Sequence, residues 1–184
     1  ITDAKRARLE KLEKQREQIA RCEEKFVHAA STVRNINKNI FSRPQETIAE
    51  ASKLIDVMSE VFLNENDTIM HLIQKNFSDE DMYFHSLNVS VLAMMLAHEQ
   101  KCTQDQIKAV GMAAIFHDLG KVNVPDTVLL KTDPLTRAEE GLMQLHTQYG
   151  VDIGRKAGMS ELVLEVITNH HEYMDGTGYP NGLK

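Results

Sequence analysis

Apolar residues recur at helical spacing along nearly the whole chain, and no stretch shows the strict alternation of a half-buried strand. Between positions 4 and 38 the sequence is charged and free of glycine. Leu12, Ile19, Cys22, Phe26, Ala29, Val33 and Ile36 follow one another there at spacings of three, four or seven. That spacing predicts one long amphipathic helix. Gln15 interrupts the seam, and the stripe runs for only about three and a half heptads. Two readings stay open: a coiled coil that makes the protein a homodimer, or packing against the next helix of the same chain. An opening such as Ile1-Thr2-Asp3, already entering a helix, is expected to connect to something upstream.

Ser42 followed by Gln45, with Pro44 near the first turn, predicts an N-cap and a helix to about Phe62. Its apolar face is Ile48, Leu54, Ile55, Met58 and Val61. Asn64-Glu65-Asn66 reads as a turn, and a shorter helix carries Ile69, Leu72 and Ile73 before the acidic run Asp79-Glu80-Asp81. A helix is predicted from Met82 to about Glu99. Thr103 with Gln106 caps the next, which leads to Phe116 with Gly120 placed to stop it. Thr136 and Glu139 form a second capping box, opening a helix to about Lys156 that Gly158 ends, and Ser160 starts one reaching His170. The tail from Asp175 to Gly182 is a loop by composition. The predicted fold class is all-α, with an N-terminal helical region over 1–78 and a second unit over 79–184.

At 184 residues the chain suits one domain, or one domain with an appended helical region. With 42% hydrophobic and 26% charged residues it is too apolar for disorder. The 27 acidic residues outnumber 21 basic ones, giving a formal charge of −6. No broad cationic face remains to hold a nucleic acid polymer, although a bound cation would let a small anionic substrate in. Cys22 and Cys102 form no CxxC pair, so a disulfide framework is not expected and a reducing, cytoplasmic location is. The most apolar stretch, Val89 to Ala97, contains Ser90 and is far shorter than the ~20 residues of a spanning helix. Neither a membrane insertion nor a cleavable signal is expected.

Chemistry is concentrated in the histidines. His85, His117, His146, His170 and His171 fall in the last hundred residues, each within or at an end of a predicted helix. His28, His71 and His98 read as ordinary surface or satisfied core residues. His117-Asp118 follows the apolar run Val110 to Phe116, and an imidazole beside a carboxylate at a buried helix end is costly unless paired or metal-bound. Imidazole and carboxylate together suit iron, manganese or zinc, and a carboxylate has two oxygens with which to bridge two ions. One such dipeptide alone would be a hydrogen-bonded pair by odds of roughly ten to one. His170-His171-Glu172 alone is as often a polar turn as a ligand group.

The combination is more specific. His85-Ser86-Leu87-Asn88-Val89, then His117-Asp118-Leu119-Gly120-Lys121, His146, His170-His171-Glu172 and Asp175-Gly176-Thr177-Gly178-Tyr179-Pro180 together resemble the HD-GYP family in order and spacing, over about residues 79 to 184. The region before it is similar to the helical segment that often precedes this domain. The resemblance implies an HD-fold helical bundle with two or three divalent metal ions, iron or manganese, and a phosphodiesterase that hydrolyses cyclic di-GMP. By that resemblance His85, His117 and Asp118 hold one ion, and Asp118 bridges to a second held by His146, His170 and His171. Lys121 contacts the scissile phosphate, and Asp81 stands where some members place a ligand of a third metal.

Hydrolysis would then start from water activated by the metals, with Asp118 and Lys121 as the catalytic residues. Gly178, Tyr179 and Pro180, with Lys121, are expected to contact substrate, the Tyr179 ring offering a surface for a guanine base. A diguanylate cyclase-type partner is a further expectation of the resemblance. Thr147 stands where the family has proline after its middle histidine, and is read as a local loop change. The family also has a following helix that supplies an aspartate and an arginine, a segment this sequence stops short of at Lys184. Two other readings remain: a phosphodiesterase for another cyclic dinucleotide such as cyclic GMP-AMP, and a catalytically silent sensor or docking module of the same fold.

Overall fold

The computed structural model describes residues 3–62, 66–75 and 82–184. The turn expected at Asn64 and Glu65, the acidic run with Asp81 and the boundary expected at 78 lie outside the described residues. Among those described the fold is all-α, without strands. Helices α1 (Asp3–Asn39), α2 (Pro44–Phe62) and α3 (Asn66–Lys75) come first, then α4 (Met82–Glu99) and α5 (Gln104–Phe116). A 3-10 turn, Leu119–Asn123, leads to α6 (Asp126–Leu129), α7 (Arg137–Gln144), α8 (His146–Ala157) and α9 (Glu161–Asn169). None of these helices is long and apolar enough to cross a membrane.

A continuous hydrophobic core joins α1 through α5 with α8 and α9, with Phe26, Ile36, Ile55, Leu72, Leu87, Ile107 and Phe116 fully buried. The long stripe of α1 divides at Cys22. From there on it is buried in its own chain, against α2, α3 and α4, whereas Leu12 and Ile19 stay exposed at 46% and 40%. Packing against neighbouring helices therefore accounts for the stripe from Cys22 onward.

The link between α4 and α5 sets the geometry of the site. Lys101 takes a left-handed backbone (φ 58°), the Lys101 amide donates to the His98 carbonyl and the Cys102 amide to that of Ala97, the pattern of a Schellman stop. Thr103 and Gln106 then form the expected capping box, so α5 returns alongside α4. Across the pair, Ser90 Oγ donates to the Gly111 carbonyl at 2.8 Å, and Gly111 leaves room for the Met94 side chain. The start of α4, with His85, is thereby held beside the end of α5, with His117.

Three local expectations are corrected. Ser42 does not cap α2: its hydroxyl donates back to the Asn39 carbonyl, and the Arg43 carbonyl accepts from the Thr47 amide. Pro44 disfavours helical backbone at the residue before it, which moves the cap to Arg43. The helix expected from Thr136 to Lys156 opens with its capping box but breaks at Leu145 into α7 and α8. There the His146 ring and the Thr147 hydroxyl bond the carbonyls of Met143 and Gln144, at 2.7 and 3.2 Å.

Gly120 is the third correction. Helix α5 already ends at Phe116, and Gly120 instead lets the 3-10 turn touch α8: a Cβ there would overlap the His146 carbonyl oxygen and the Gly150 amide nitrogen. Gly120→Ala should therefore cost about 1–3 kcal/mol through overpacking, seen as a lower Tm. Gly141→Ala, whose Cβ meets nothing within 4 Å, should not lower it. Equal Tm values for Gly120→Ala and wild type would contradict the close contact.

Candidate metal centre

Helix ends leave backbone carbonyls without intrahelical partners, and three histidines use them. His117 caps α5, His170 caps α9, and His146 lies at the α7–α8 break. Each ring places Nδ1 2.7 Å from the carbonyl three residues earlier: Ala114 for His117, Met143 for His146 and Ile167 for His170. A carbonyl oxygen only accepts, so each Nδ1 carries a proton and donates it. The Nε2 of each neutral ring is then a bare lone pair.

Those lone pairs converge. His146 Nε2 is 3.2 Å from His170 Nε2 and 3.6 Å from Asp118 Oδ1, and His117 Nε2 is 3.3 Å from Asp118 Oδ2. His146 is 1% exposed and Asp118 21%, so water does little to screen them. Lone pairs directed at one another and at a carboxylate repel unless positive charge lies among them. His171 and His85 complete the cluster. Asp118, His146, His170 and His171 each offer a ligand atom within 4.8 Å of the others, and so do His85, His117 and Asp118. Asp118 belongs to both groups. This His/Asp cluster is compatible with divalent metal binding, the donor set suiting borderline ions.

Proton affinities are tuned the same way at Asp118, His146, His170 and His171, and the opposite way at His117. Burial works to raise the Asp118 carboxyl, but hydrogen bonding and charge from His117, when that ring carries a second proton on Nε2, and from Lys121 outweigh it and hold the group well below the usual carboxylate range. Burial disfavours charge on His117, but the Asp118 carboxylate overcomes it and raises that ring's affinity for a second proton. His146 and His171 are shifted down by burial, and burial takes His170 down to about 4. Neutral imidazole and ionised carboxylate are the forms that bind metal.

Lys121 projects from the 3-10 turn with Nζ 2.7 Å from Asp118 Oδ2, and its side chain is 34% exposed. Beside it a cavity of about 390 Å³ is lined by His85, His117, Asp118, Lys121, His170 and His171, with an apolar wall of Val89, Ala93, Val110, Ala114 and Val166. Thr147 is buried and bonded to Gln144, leaving the His146 ring in the cluster. His28 and His98 are exposed and belong to neither ligand group. The side chain of His71 and all of Asp81 lie outside the described residues.

The glycine-rich loop closes over one flank. Tyr179 lies with its ring 4.6 Å from that of His171 at 19°, and edge-on to His146 at 6.4 Å. The face turned to His171 is not free for a base. Burial raises the Tyr179 phenol to about 12, so it stays protonated near neutral pH. Glu172 holds the loop, its carboxylate accepting from the amides of Asn181, Gly182 and Leu183. Sequence reasoning named Glu172 without a role, and it missed the three orienting carbonyls, which as backbone atoms leave no residue-type signature.

The family described as HD domain matches residues 37–184. The chain is 38% identical over 136 residues to a cyclic di-GMP phosphodiesterase of Pseudomonas aeruginosa, covering 73% of this chain and 33% of that protein. It is 29% identical over 171 residues to a cyclic di-GMP phosphodiesterase response regulator of Xanthomonas campestris, covering 91% of this chain and 43% of the relative. It is also 35% identical over 102 residues to a 3'3'-cGAMP-specific phosphodiesterase of Vibrio cholerae, covering 54% and 20%. The chain thus spans less than half the length of these relatives.

The low proton affinity of His170 has a measurable effect on the metal-free protein. The unfolded chain takes up the proton near the ordinary value of 6.5, the folded one only at about 4. In that window the unfolded state binds more protons, so this contribution to stability is fully present above the unfolded value and is lost as pH falls through the folded one. Between about pH 7 and pH 4, the Tm of chelator-treated wild type should fall more steeply than that of His170→Asn. Parallel slopes would contradict a neutral, buried His170.

Proposed function

The chain belongs to the HD domain family, in its HD-GYP branch, and on that premise we propose that it is a metal-dependent phosphodiesterase hydrolysing cyclic di-GMP in bacterial second-messenger signalling. The observation that carries this reading is the convergence of bare imidazole nitrogens on both oxygens of one ionised carboxylate, Asp118. In this reading His85, His117 and Asp118 hold one ion, and Asp118 with His146, His170 and His171 holds a second, iron or manganese. A cytoplasmic location accords with free thiols at Cys22 and Cys102.

Bound there, divalent metal supplies Lewis acidity and lowers the pKa of water from about 15.7 to roughly 7. The protein's own groups do the rest. Asp118 stays ionised in a half-dry site because the Lys121 cation, 2.7 Å away, stabilises its charge. The neutral rings, held by backbone carbonyls, keep their donor atoms aimed without reorganisation during reaction. Lys121, partly exposed at the edge of the cavity, presents a cation to a phosphate oxygen. In the overall reaction water adds to phosphorus, the bond to the leaving sugar oxygen breaks, and that oxygen ends with a proton. Gly178, Tyr179 and Pro180 lie on the loop at the flank of the site and are proposed to meet substrate there, Tyr179 by an edge and not by its covered face.

A second substrate is favoured by one observation, the 35% identity to a 3'3'-cGAMP-specific phosphodiesterase. Assaying cyclic di-GMP, 3'3'-cGAMP and cyclic mononucleotides with manganese or ferrous iron separates the readings. Turnover of cyclic di-GMP is expected. Hydrolysis of mononucleotides alone would defeat the proposal, and binding of less than one metal per chain would favour the silent module. Asp118→Ala should abolish turnover, and His98→Ala should leave it unchanged. Lys121→Gln, losing a charged hydrogen bond of about 1.5–3 kcal/mol, should lower kcat/KM roughly ten- to hundredfold.

A further inference from the structure

Of the five imidazoles of the cluster, three are oriented in one way. His117, His146 and His170 each give Nδ1–H to a carbonyl three residues back. Among the described residues no carbonyl bonds the His171 ring in this way. The backbone position of His171 follows His170, the residue that caps α9. The contact that the other rings lack is a stacked tyrosine: the Tyr179 ring lies flat on His171, 4.6 Å between centroids and 19° from parallel.

We propose that Tyr179 is a positioning residue for the metal centre: its ring, clamped onto the His171 imidazole by a loop that Glu172 ties down, does for that ligand what backbone carbonyls do for the others. This rests on the metal-centre reading above and assigns Tyr179 a different task from stacking on a base. The clamp is built at several points. The Tyr179 amide donates to the His171 carbonyl at 3.2 Å, so ring and backbone bind the same residue. Beyond Tyr179, three successive amides, of Asn181, Gly182 and Leu183, donate to the Glu172 carboxylate at 2.6, 3.1 and 2.9 Å. Asn181 Nδ2 also donates to Asn169 Oδ1 at 3.0 Å. Before it, Gly178 lies so close to the chain at Glu172 and Tyr173 that a Cβ would overlap their backbone atoms. The loop has little freedom to lift the ring away.

An aromatic clamp fixes the plane of a ring but not a proton on either nitrogen. His171 can therefore turn either nitrogen to an ion, with the ring plane alone constrained, and the hydroxyl of Tyr179 is not needed. That separates the proposal from a hydrogen-bonding or acid–base role for the same residue.

The test uses manganese alone, titrated calorimetrically into the chelator-treated wild-type protein, Tyr179→Phe, Tyr179→Ala and Glu172→Gln, with Tm measured for each. Loss of an outer contact to a metal ligand typically costs 10–100-fold in affinity. Tyr179→Ala should show about that loss for one of two ions, the one shared by His146, His170 and His171, with the other ion bound as in wild type. Tyr179→Phe should retain both affinities, and Glu172→Gln, which keeps the ring and loosens its tether, should show a smaller loss at the same ion. In metal-free protein the ring protons of His171 should be shifted upfield by the overlying ring in wild type and Tyr179→Phe, and not in Tyr179→Ala. Wild-type-like binding of both ions by Tyr179→Ala overturns this proposal alone. Loss of affinity in Tyr179→Phe equal to that in Tyr179→Ala also overturns it, since the hydroxyl would then be what matters. A wild-type protein that takes up no manganese overturns the metal-centre reading together with it.

Discussion

The arrangement on which the rest depends is electrostatic: lone pairs of His117, His146 and His170 are directed at each other and at the Asp118 carboxylate, with their protons committed elsewhere. Such a cluster is unfavourable by itself in a buried place, and the protein tolerates it only with positive charge inside. Lys121 supplies part of that charge from one side, at 2.7 Å from Asp118. Metal supplies the remainder in our account, and the directed imidazole and carboxylate donors are a set compatible with divalent ions.

Helix ends are the device that produces it. A helix interior would have engaged the carbonyls of Ala114, Met143 and Ile167, but at a C-terminal turn they are open to side chains. Placing histidine three residues on satisfies the carbonyl, fixes the tautomer and aims the remaining nitrogen in one step. It also explains why helices end where they do. The α7–α8 break occurs where His146 and Thr147 bond carbonyls of their own turn, and Gly120 lets the neighbouring 3-10 turn approach that break closely enough to bring Asp118 and His146 together. The Ser90 bond to Gly111 and the Schellman stop at Lys101 do the corresponding work for His85 and His117.

Much of this was legible in the sequence where the cause is local. Both capping boxes, at Thr103 and Thr136, and the left-handed stop at Gly158 are written in short-range residue types, and the structure has all three. The ligand candidates were legible through their order and spacing. What was not legible has tertiary causes. Nothing in the periodicity of residues 136 to 156 distinguishes a continuous helix from one interrupted to aim a histidine, because the apolar face continues on both sides. Gly120 looked like a stop because glycine often ends helices, whereas its reason is a contact with His146 and Gly150, far along the chain. Tyr179 looked like a base platform because nothing in its surroundings in sequence places it flat on His171. The exposed Leu12 and Ile19 share a stripe with buried residues, and only the position of the other helices separates them.

Anomalous diffraction from crystals of the protein loaded with manganese tests the central claim most directly. The account predicts two peaks, one on each side of the Asp118 carboxylate, the first contacted by His85 and His117 and the second by His146, His170 and His171. Ions bound elsewhere with the five rings unengaged, or an Asp118 carboxylate bonded only to Lys121 in the loaded crystals, would contradict it.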